Sequence, residues 1–225
     1  MTTDDYNNVI VKKPWGFEYL VYQNDKVALW CLYIAKNEKT SMHCHPNKTT
    51  GLIVLDGACE VNFLSNKFIV GELDKTMIRK SLFHSTKSIS ENGSVIFEIE
   101  TPNDKCDLVR LDDKYGRVGL PYENSEFEIP KKSDCLWIDE NFNLSQNIFA
   151  NCLLTIHEVK SSDFFKSLDD SINFIVLSGG IATDYNLTII NPGDIVNITI
   201  AKKIIESYNK ILKNTFILTF SKLEK

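Results

Sequence analysis

The chain has 225 residues, 43% hydrophobic and 24% charged, enough apolar material for one large or two small domains and no tract that demands disorder. A net charge of −5, with basic residues scattered rather than clustered, argues against nucleic acid or an anionic membrane as the main partner. No apolar stretch approaches the roughly 18 residues of a membrane span, and the opening "MTTDDYNNVIVKKPWG" lacks the basic start and apolar core of an export signal, so a cytoplasmic protein is expected.

Short strand-like segments dominate the first hundred residues. "VALWCLYI" (27–34), "TGLIVLDGACEVNFL" (50–64), "KFIVGEL" (67–73) and "SVIFEIE" (94–100) alternate or run apolar between Asn, Gly, Asp and Lys clusters. Strands at this spacing predict an all-β sandwich or barrel. The six cysteines form no CxxC pair, which suits reduced thiols, and Cys31, Cys59 and Cys152 lie in apolar runs as small buried hydrophobes. Residues 102–145 are polar and turn-rich and read as a connecting region with room for one short helix. From residue 146 the first pattern returns. "CLYIAKNEKT" and "GLIVLDG" resemble "CLLTIHEVKS" and "NFIVLSG", while "FIVGELDKTMI" and "SVIFEIE" match "LTIINPGDIVNI" and "TFILTFS". Four blocks in one order at nearly one offset predict a duplicated β-domain: residues 1–101, a connector 102–145, and a second copy 146–225.

The copies differ where chemistry would sit. "SMHCHPNKTT" in the first is "SDFFKSLDDSI" in the second, which carries no histidine. Residues two apart in a strand share a face with a rise of about 3.3 Å each. His43 and His45 can therefore converge on one ion at about 2.1 Å from each nitrogen. His84 would join from a neighbouring strand, and Cys44 would point away. Imidazole suits zinc, iron, nickel and manganese alike, and zinc and iron(II) lead.

These residues resemble the cupin superfamily, whose first motif is an HxH pair followed by glutamate and glycine and whose second ends in histidine. Within it, "KKPWGFEYLVY" (12–22), "SMHCHPNKTTGLIVLDGACEV" (41–61) and "DLVRLDDKYGR" (107–117) are similar to the type II mannose-6-phosphate isomerase domain found fused to mannose-1-phosphate guanylyltransferases. The resemblance covers residues 12–117. It implies a double-stranded β-helix (jelly-roll) fold, here as two tandem cupin-like barrels, and a homodimer. It also implies a divalent metal and a small-molecule substrate such as a phosphorylated sugar. The family's glutamine, histidine, glutamate and histidine ligands fall on His43, His45, Thr50 and His84, so the carboxylate is lost. The arginine before that glutamate falls on Lys48, and the second motif's proline and glycine fall on Arg79 and Ser81.

Aldose–ketose isomerisation needs a base and an electrophile. Candidate bases or proton shuttles are Lys48, Glu100 and Tyr115, with Glu98 if strand parity turns it inward. Arg79, Arg110 and Arg117 are candidate phosphate anchors, while Arg110 and Arg117 have salt bridges with Asp107, Asp112 or Asp113 as their structural alternative. Trp15 and Tyr19 read as packing aromatics. The expected function is metal-dependent isomerase or epimerase chemistry on a sugar or sugar phosphate. A three-histidine iron(II) dioxygenase and a non-catalytic sugar-binding cupin are the alternatives.

Overall fold

The computed structural model describes residues 6–120, 127–131, 135–138 and 146–223, and divides the chain into two units, 1–140 and 141–225. Part of the expected connecting region (121–126, 132–134 and 139–145) lies outside the described residues.

The first unit contains β1 (Ile10–Lys13), β2 (Gly16–Gln23), β3 (Ala28–Ile34), β4 (Met42–Cys44), β5 (Thr49–Asp56) and β6 (Cys59–Phe63). It continues with β7 (Lys67–Val70), β8 (Lys75–Ile78), β9 (His84–Ser88), β10 (Ser94–Thr101), β11 (Val109–Asp112) and β12 (Phe127–Glu128). One antiparallel sheet has the order β12-β1-β2-β3-β10-β5-β8 and the other β11-β4-β9-β6-β7. This is a double-stranded β-helix: from β3 onward the chain passes back and forth between two facing sheets that enclose a common interior, apart from the β6–β7 hairpin within one of them. Among the described residues of the expected connecting region, β11 and β12 extend one sheet each.

Strand period two explains which residues face inward. Even-numbered positions of β3, β5 and β10 (Ala28, Trp30, Leu32, Ile34, Leu52, Val54 and Ile96) form one buried cluster with Cys59, Val61 and Ile78. Each fully buried aliphatic or aromatic side chain contributes about 1.5–3 kcal/mol. The same parity places Glu98 and Glu100 on the interior face of β10, beyond Ile96. The barrel is thus apolar at one end and carries carboxylates at the other. Trp15 is 4% exposed, within this cluster, and Tyr19 is 2% exposed on β2, as expected of packing aromatics. The glycine after Trp15 has a specific cause: Gly16 has φ +146° and a Cβ there would lie 2.0 Å from the Tyr33 carbonyl oxygen.

The second unit contains β13 (Gln146–Phe149), β14 (Cys152–Glu158), α1 (Asp163–Lys166), β15 (Asn173–Ser178), β16 (Ile181–Ala182) and β17 (Thr188–Ile190). β18 (Ile195–Asn197), α2 (Ile198–Ile205), β19 (Lys210–Ile211) and β20 (Phe216–Lys222) complete it. Its sheets run β13-β14-β20-β15-β18 and β17-β16-β19. The order β14-β20-β15-β18 repeats β3-β10-β5-β8 strand for strand, and β19-β16-β17 repeats β9-β6-β7. Local detail repeats too. Val54 N–H donates to the Asp74 carbonyl as Val176 N–H does to Asp194, and each aspartate's Oδ2 accepts a backbone N–H three residues back. One register differs from the sequence alignment. Phe97 lies opposite Cys31 and Leu218 opposite Ile156, so the counterpart of Cys31 is Ile156 rather than Cys152. Where the first unit has β4, the second has α1, with Phe165 buried in place of a histidine pair.

Candidate metal centre

Three elements bring the histidines together. His43 is in β4, His45 follows β4 immediately, and His84 opens β9 directly opposite His43. Ring centroids are 4.4 Å apart for His43–His84, 4.9 Å for His43–His45 and 5.6 Å for His45–His84. One ligating atom from each lies within 4.8 Å of the others.

Every Nδ1 is committed to a backbone carbonyl: His43 to Ser41 at 2.8 Å, His45 to Asp107 at 2.6 Å, and His84 to Leu82 at 3.0 Å. A carbonyl only accepts, so each Nδ1 carries the proton and each Nε2 keeps its lone pair. This second layer of bonds fixes tautomer and ring orientation as metal-binding histidines require. Burial, reinforced by the neighbouring imidazoles, pushes the His43 pKa well below the ordinary range. Burial and the Lys48 charge lower His45 to about 4, and burial lowers His84. The triad is therefore neutral at physiological pH. His45 Nε2 is buried with no hydrogen-bond partner. Three neutral imidazoles presenting Nε2, one of them orphaned, fit a divalent cation. The fourth histidine, His157, bonds the Thr219 hydroxyl at 3.1 Å in the second unit.

Asp107 organises the loop after the triad. Its carboxylate accepts from Asn47 N at 2.8 Å, Lys48 N at 2.9 Å and Asn47 Nδ2 at 3.0 Å, while its carbonyl holds His45. Lys48 is 1% exposed and reaches inward to Glu100 Oε1 at 2.7 Å. Thr50 stands opposite Glu100 across β5 and β10, with its hydroxyl buried and unpartnered.

A cavity beside the histidines is lined by five cationic side chains, Lys13, Lys48, Lys105, Arg110 and Arg117, among the described residues. Facing them are the carboxylates of Glu18, Glu98 and Glu100. Lys105 bridges Glu18 at 3.0 Å and lies 3.6 Å from the Trp30 ring centroid. Burial and the adjacent Glu100 raise the Glu98 pKa. Burial also acts upward on Glu100, but Lys105, Lys48 and His45 outweigh it and hold that carboxyl low.

The remaining candidates divide. Arg110 is half-buried, lies opposite His43 in β11 and donates Nη1 to the Leu120 carbonyl at 2.6 Å. Arg117 lines the cavity while its Nε and Nη2 hold Asp113 at 3.0 and 2.6 Å. Arg79 is exposed on the turn after β8 and is not among the cavity-lining residues. Neither is Tyr115, whose phenol donates to Glu38. The triad and Lys48, Glu100, Arg110 and Arg117 are thus assembled, with Arg79 and Tyr115 apart. Sequence reasoning missed Lys13, Glu18 and Lys105, and it treated Asp107 only as an arginine partner.

No protein-family model matches the chain. Among curated proteins, the alginate biosynthesis protein AlgA of Pseudomonas putida is 24% identical over 123 residues, which is 54% of this chain and 25% of that protein. The matched region thus spans a quarter of that relative's length. Among solved structures, KdgF from Halomonas sp. aligns at 17% identity, covering 45% of this chain and 93% of its own, with a TM-score of 0.41. A conserved double-stranded β-helix protein from Klebsiella pneumoniae aligns at 11%, covering 50% and 96%, with a TM-score of 0.40. An RmlC-like cupin from Shewanella frigidimarina aligns at 15%, covering 41% and 82%, with a TM-score of 0.38. One of these is described as a cupin and another as a double-stranded β-helix protein, and the fold assignment itself rests on the strand order described above. Among the described residues no helix is long and apolar enough to cross a membrane.

Proposed function

We propose that the first unit is a metal-dependent enzyme acting on an anionic sugar derivative, a sugar phosphate, by isomerisation or epimerisation. The observation that carries this reading is the convergence of three imidazoles, one ligating nitrogen of each within 4.8 Å of the others and each Nδ1 tied to a carbonyl, beside a cavity where cationic side chains outnumber carboxylates. A divalent cation on His43, His45 and His84 would supply an electrophile for oxygens that become negative as a proton leaves the adjacent carbon. Glu98 is the base in this proposal: it faces the cavity, where Lys48 holds Glu100 and Lys105 holds Glu18. In aldose–ketose interconversion it takes the proton from the hydroxyl-bearing carbon and returns it to the carbonyl carbon, while the hydroxyl proton passes to the former carbonyl oxygen, leaving the enzyme unchanged. Lys48, committed to Glu100, holds charge in place rather than moving a proton. Arg110 and Lys13 offer the phosphate its cationic partners, and Arg117 does so to the extent that Asp113 releases it.

The second unit, without a histidine at the β4 position, is in this proposal a degenerate copy that serves as scaffold. The resemblance over residues 12–117 adds a homodimer, and the buried free thiols Cys31, Cys44 and Cys59 fit a reducing cytoplasm.

The test is metal analysis of protein purified without added ions, followed by aldose–ketose interconversion of hexose and pentose phosphates. The expected result is one zinc or iron per chain and turnover that disappears in His45→Ala. Metal-loaded protein that converts none of these substrates yet consumes oxygen with a small thiol would replace this reading with the dioxygenase. Binding without any turnover would replace it with a sugar-binding cupin.

A further inference from the structure

The second barrel keeps an open mouth where the first has its histidines. Ladder partners share a face, so Gln146, Thr155, Thr219 and Phe174, paired in turn across β13, β14, β20 and β15, form one row. Phe174 is fully buried in the core of this unit, which turns the row toward the barrel interior. The next row on that face pairs His157 with Ile217 and Val176, both core residues. The counterpart rows of the first barrel are Leu20, Trp30, Glu98 and Leu52, and then Leu32, Ile96 and Val54. Three interior positions that are apolar in the first unit, Leu20, Trp30 and Leu32, are thus Gln146, Thr155 and His157 in the second, and the Glu98 carboxylate gives way to the Thr219 hydroxyl. A threonine where the first barrel has an indole leaves room. A cleft of about 520 Å³ opens there, lined by Gln146, Thr155, His157 and Phe164, with Glu158 and Lys160 beside them. That volume lies in the range of small-molecule sites.

The hydrogen-bond chain in this cleft leaves one acceptor over. Thr219 donates its only hydroxyl proton to the Thr155 carbonyl at 3.1 Å, so the 3.1 Å contact with His157 Nε2 requires the ring to donate. Burial lowers the His157 pKa, so the ring is neutral at physiological pH and its Nδ1 keeps a lone pair. Among the described residues, that Nδ1, the Thr155 hydroxyl and the Gln146 amide have no hydrogen-bond partner. Phe164, half-buried with its ring centroid 5.1 Å from that of His157, adds an apolar wall. Lys160 is paired with Glu158 at 2.9 Å, and among the described residues no arginine lines the cleft. An uncharged ligand is therefore favoured, in contrast to the first cavity with its five cations. Polar groups one strand apart, about 4.8 Å, suit hydroxyls spread over a ring whose C–H edges meet Phe164. We propose that the mouth of the second barrel binds a neutral sugar, with His157 Nδ1 accepting from one hydroxyl and Thr155 and Gln146 bonding others. This gives the second unit a ligand of its own and does not depend on the metal centre.

The test is titration of protein carrying isotope-labelled histidine with glucose, mannose, xylose and mannose 6-phosphate, read from the His157 ring resonances. The free protein should show the Nε2–H tautomer, and at least one neutral sugar should move the His157 signals to saturation. Thr155→Trp, which puts the indole of the first barrel into the cleft, should weaken that binding at least about tenfold. Gln146→Ala, at an exposed edge-strand position, should weaken it about threefold to tenfold. The shifts should persist in His45→Ala, which separates this site from the metal centre. The proposal is overturned by an Nδ1–H tautomer, by His157 signals that no neutral sugar saturates or that only mannose 6-phosphate moves, and by shifts that vanish in His45→Ala. Unchanged affinity in every variant that folds, checked by circular dichroism, overturns it as well.

Discussion

Replacing Asp107 by alanine probes how the centre is built. The carboxylate accepts three hydrogen bonds, two of them from backbone N–H groups of residues 47 and 48, and it is 7% exposed. A hydrogen bond to a charged group is worth about 1.5–3 kcal/mol, and an abandoned buried donor carries a further desolvation cost. Asn47 is exposed and its groups can turn to water, whereas Lys48 N is buried and cannot. Counting Lys48 N at about 2–3 kcal/mol, and letting water recover all but about 0.5 kcal/mol of each Asn47 bond, gives a loss of about 3–4 kcal/mol. For a chain of this size that lowers Tm by roughly 6–16 °C. The loop that loosens carries Lys48 and follows His45 directly, so zinc affinity should fall as well, although Asp107 touches no ion through its side chain. Thermal unfolding by circular dichroism in chelator, with zinc titration of the folded variant at low temperature, reads both effects. Asp107→Asn, which keeps one acceptor oxygen, should lie between. A Tm within about 1 °C of wild type, together with unchanged zinc affinity, would refute this account of the loop.

Two further outcomes follow from the same geometry. Glu98→Gln should lower kcat by about 10² to 10⁴ fold with metal content unchanged, and a variant that keeps wild-type kcat removes Glu98 from the chemistry. Burial acts upward on the Asp113 carboxyl, but the Arg117 side chain and the backbone N–H groups of Arg117 and Tyr115 outweigh it and lower the pKa. A depressed folded pKa means that the stabilisation is present above the unfolded value of about 3.9 and is lost as pH falls through the folded one. Wild type should therefore exceed Asp113→Asn in Tm near neutral pH, with the gap closing below about pH 4. A gap that widens on acidification contradicts the ion pair.

How much of the fold and of the site is legible in the sequence depends on the range of the forces involved. The HxH spacing is informative because strand parity is local: two residues apart means one face, and His84 needs only a neighbouring strand. Glu98 and Glu100 obey the same parity on the interior face of β10. The repeated strand order is readable because bulged strands and the Asp74 and Asp194 turns leave local patterns. The pattern misleads at β14, where two apolar runs beginning Cys-Leu align in sequence but sit four positions out of register. The Arg117–Asp113 pair, four residues apart, is one of the expected salt bridges, whereas Arg110 turns to the Leu120 carbonyl, a choice that spacing does not reveal. Asp107 is invisible in its real role because it holds His45 through a backbone oxygen from 62 positions along the chain. Lys13 and Glu18 both lie in the quoted segment 12–22, but nothing local joins them to Lys105, far along the chain.

Everything proposed for the first unit requires that His43, His45 and His84 hold one metal ion through Nε2. X-ray absorption at the metal edge of protein purified from cells in unsupplemented medium tests this most directly. The account predicts one ion per chain with about three imidazole nitrogens at about 2.0–2.1 Å, and loss of that signal in His43→Ala and His84→Ala but not in His157→Ala. A substoichiometric ion, a shell without imidazole scattering, or equal loss in the His157 variant would contradict it.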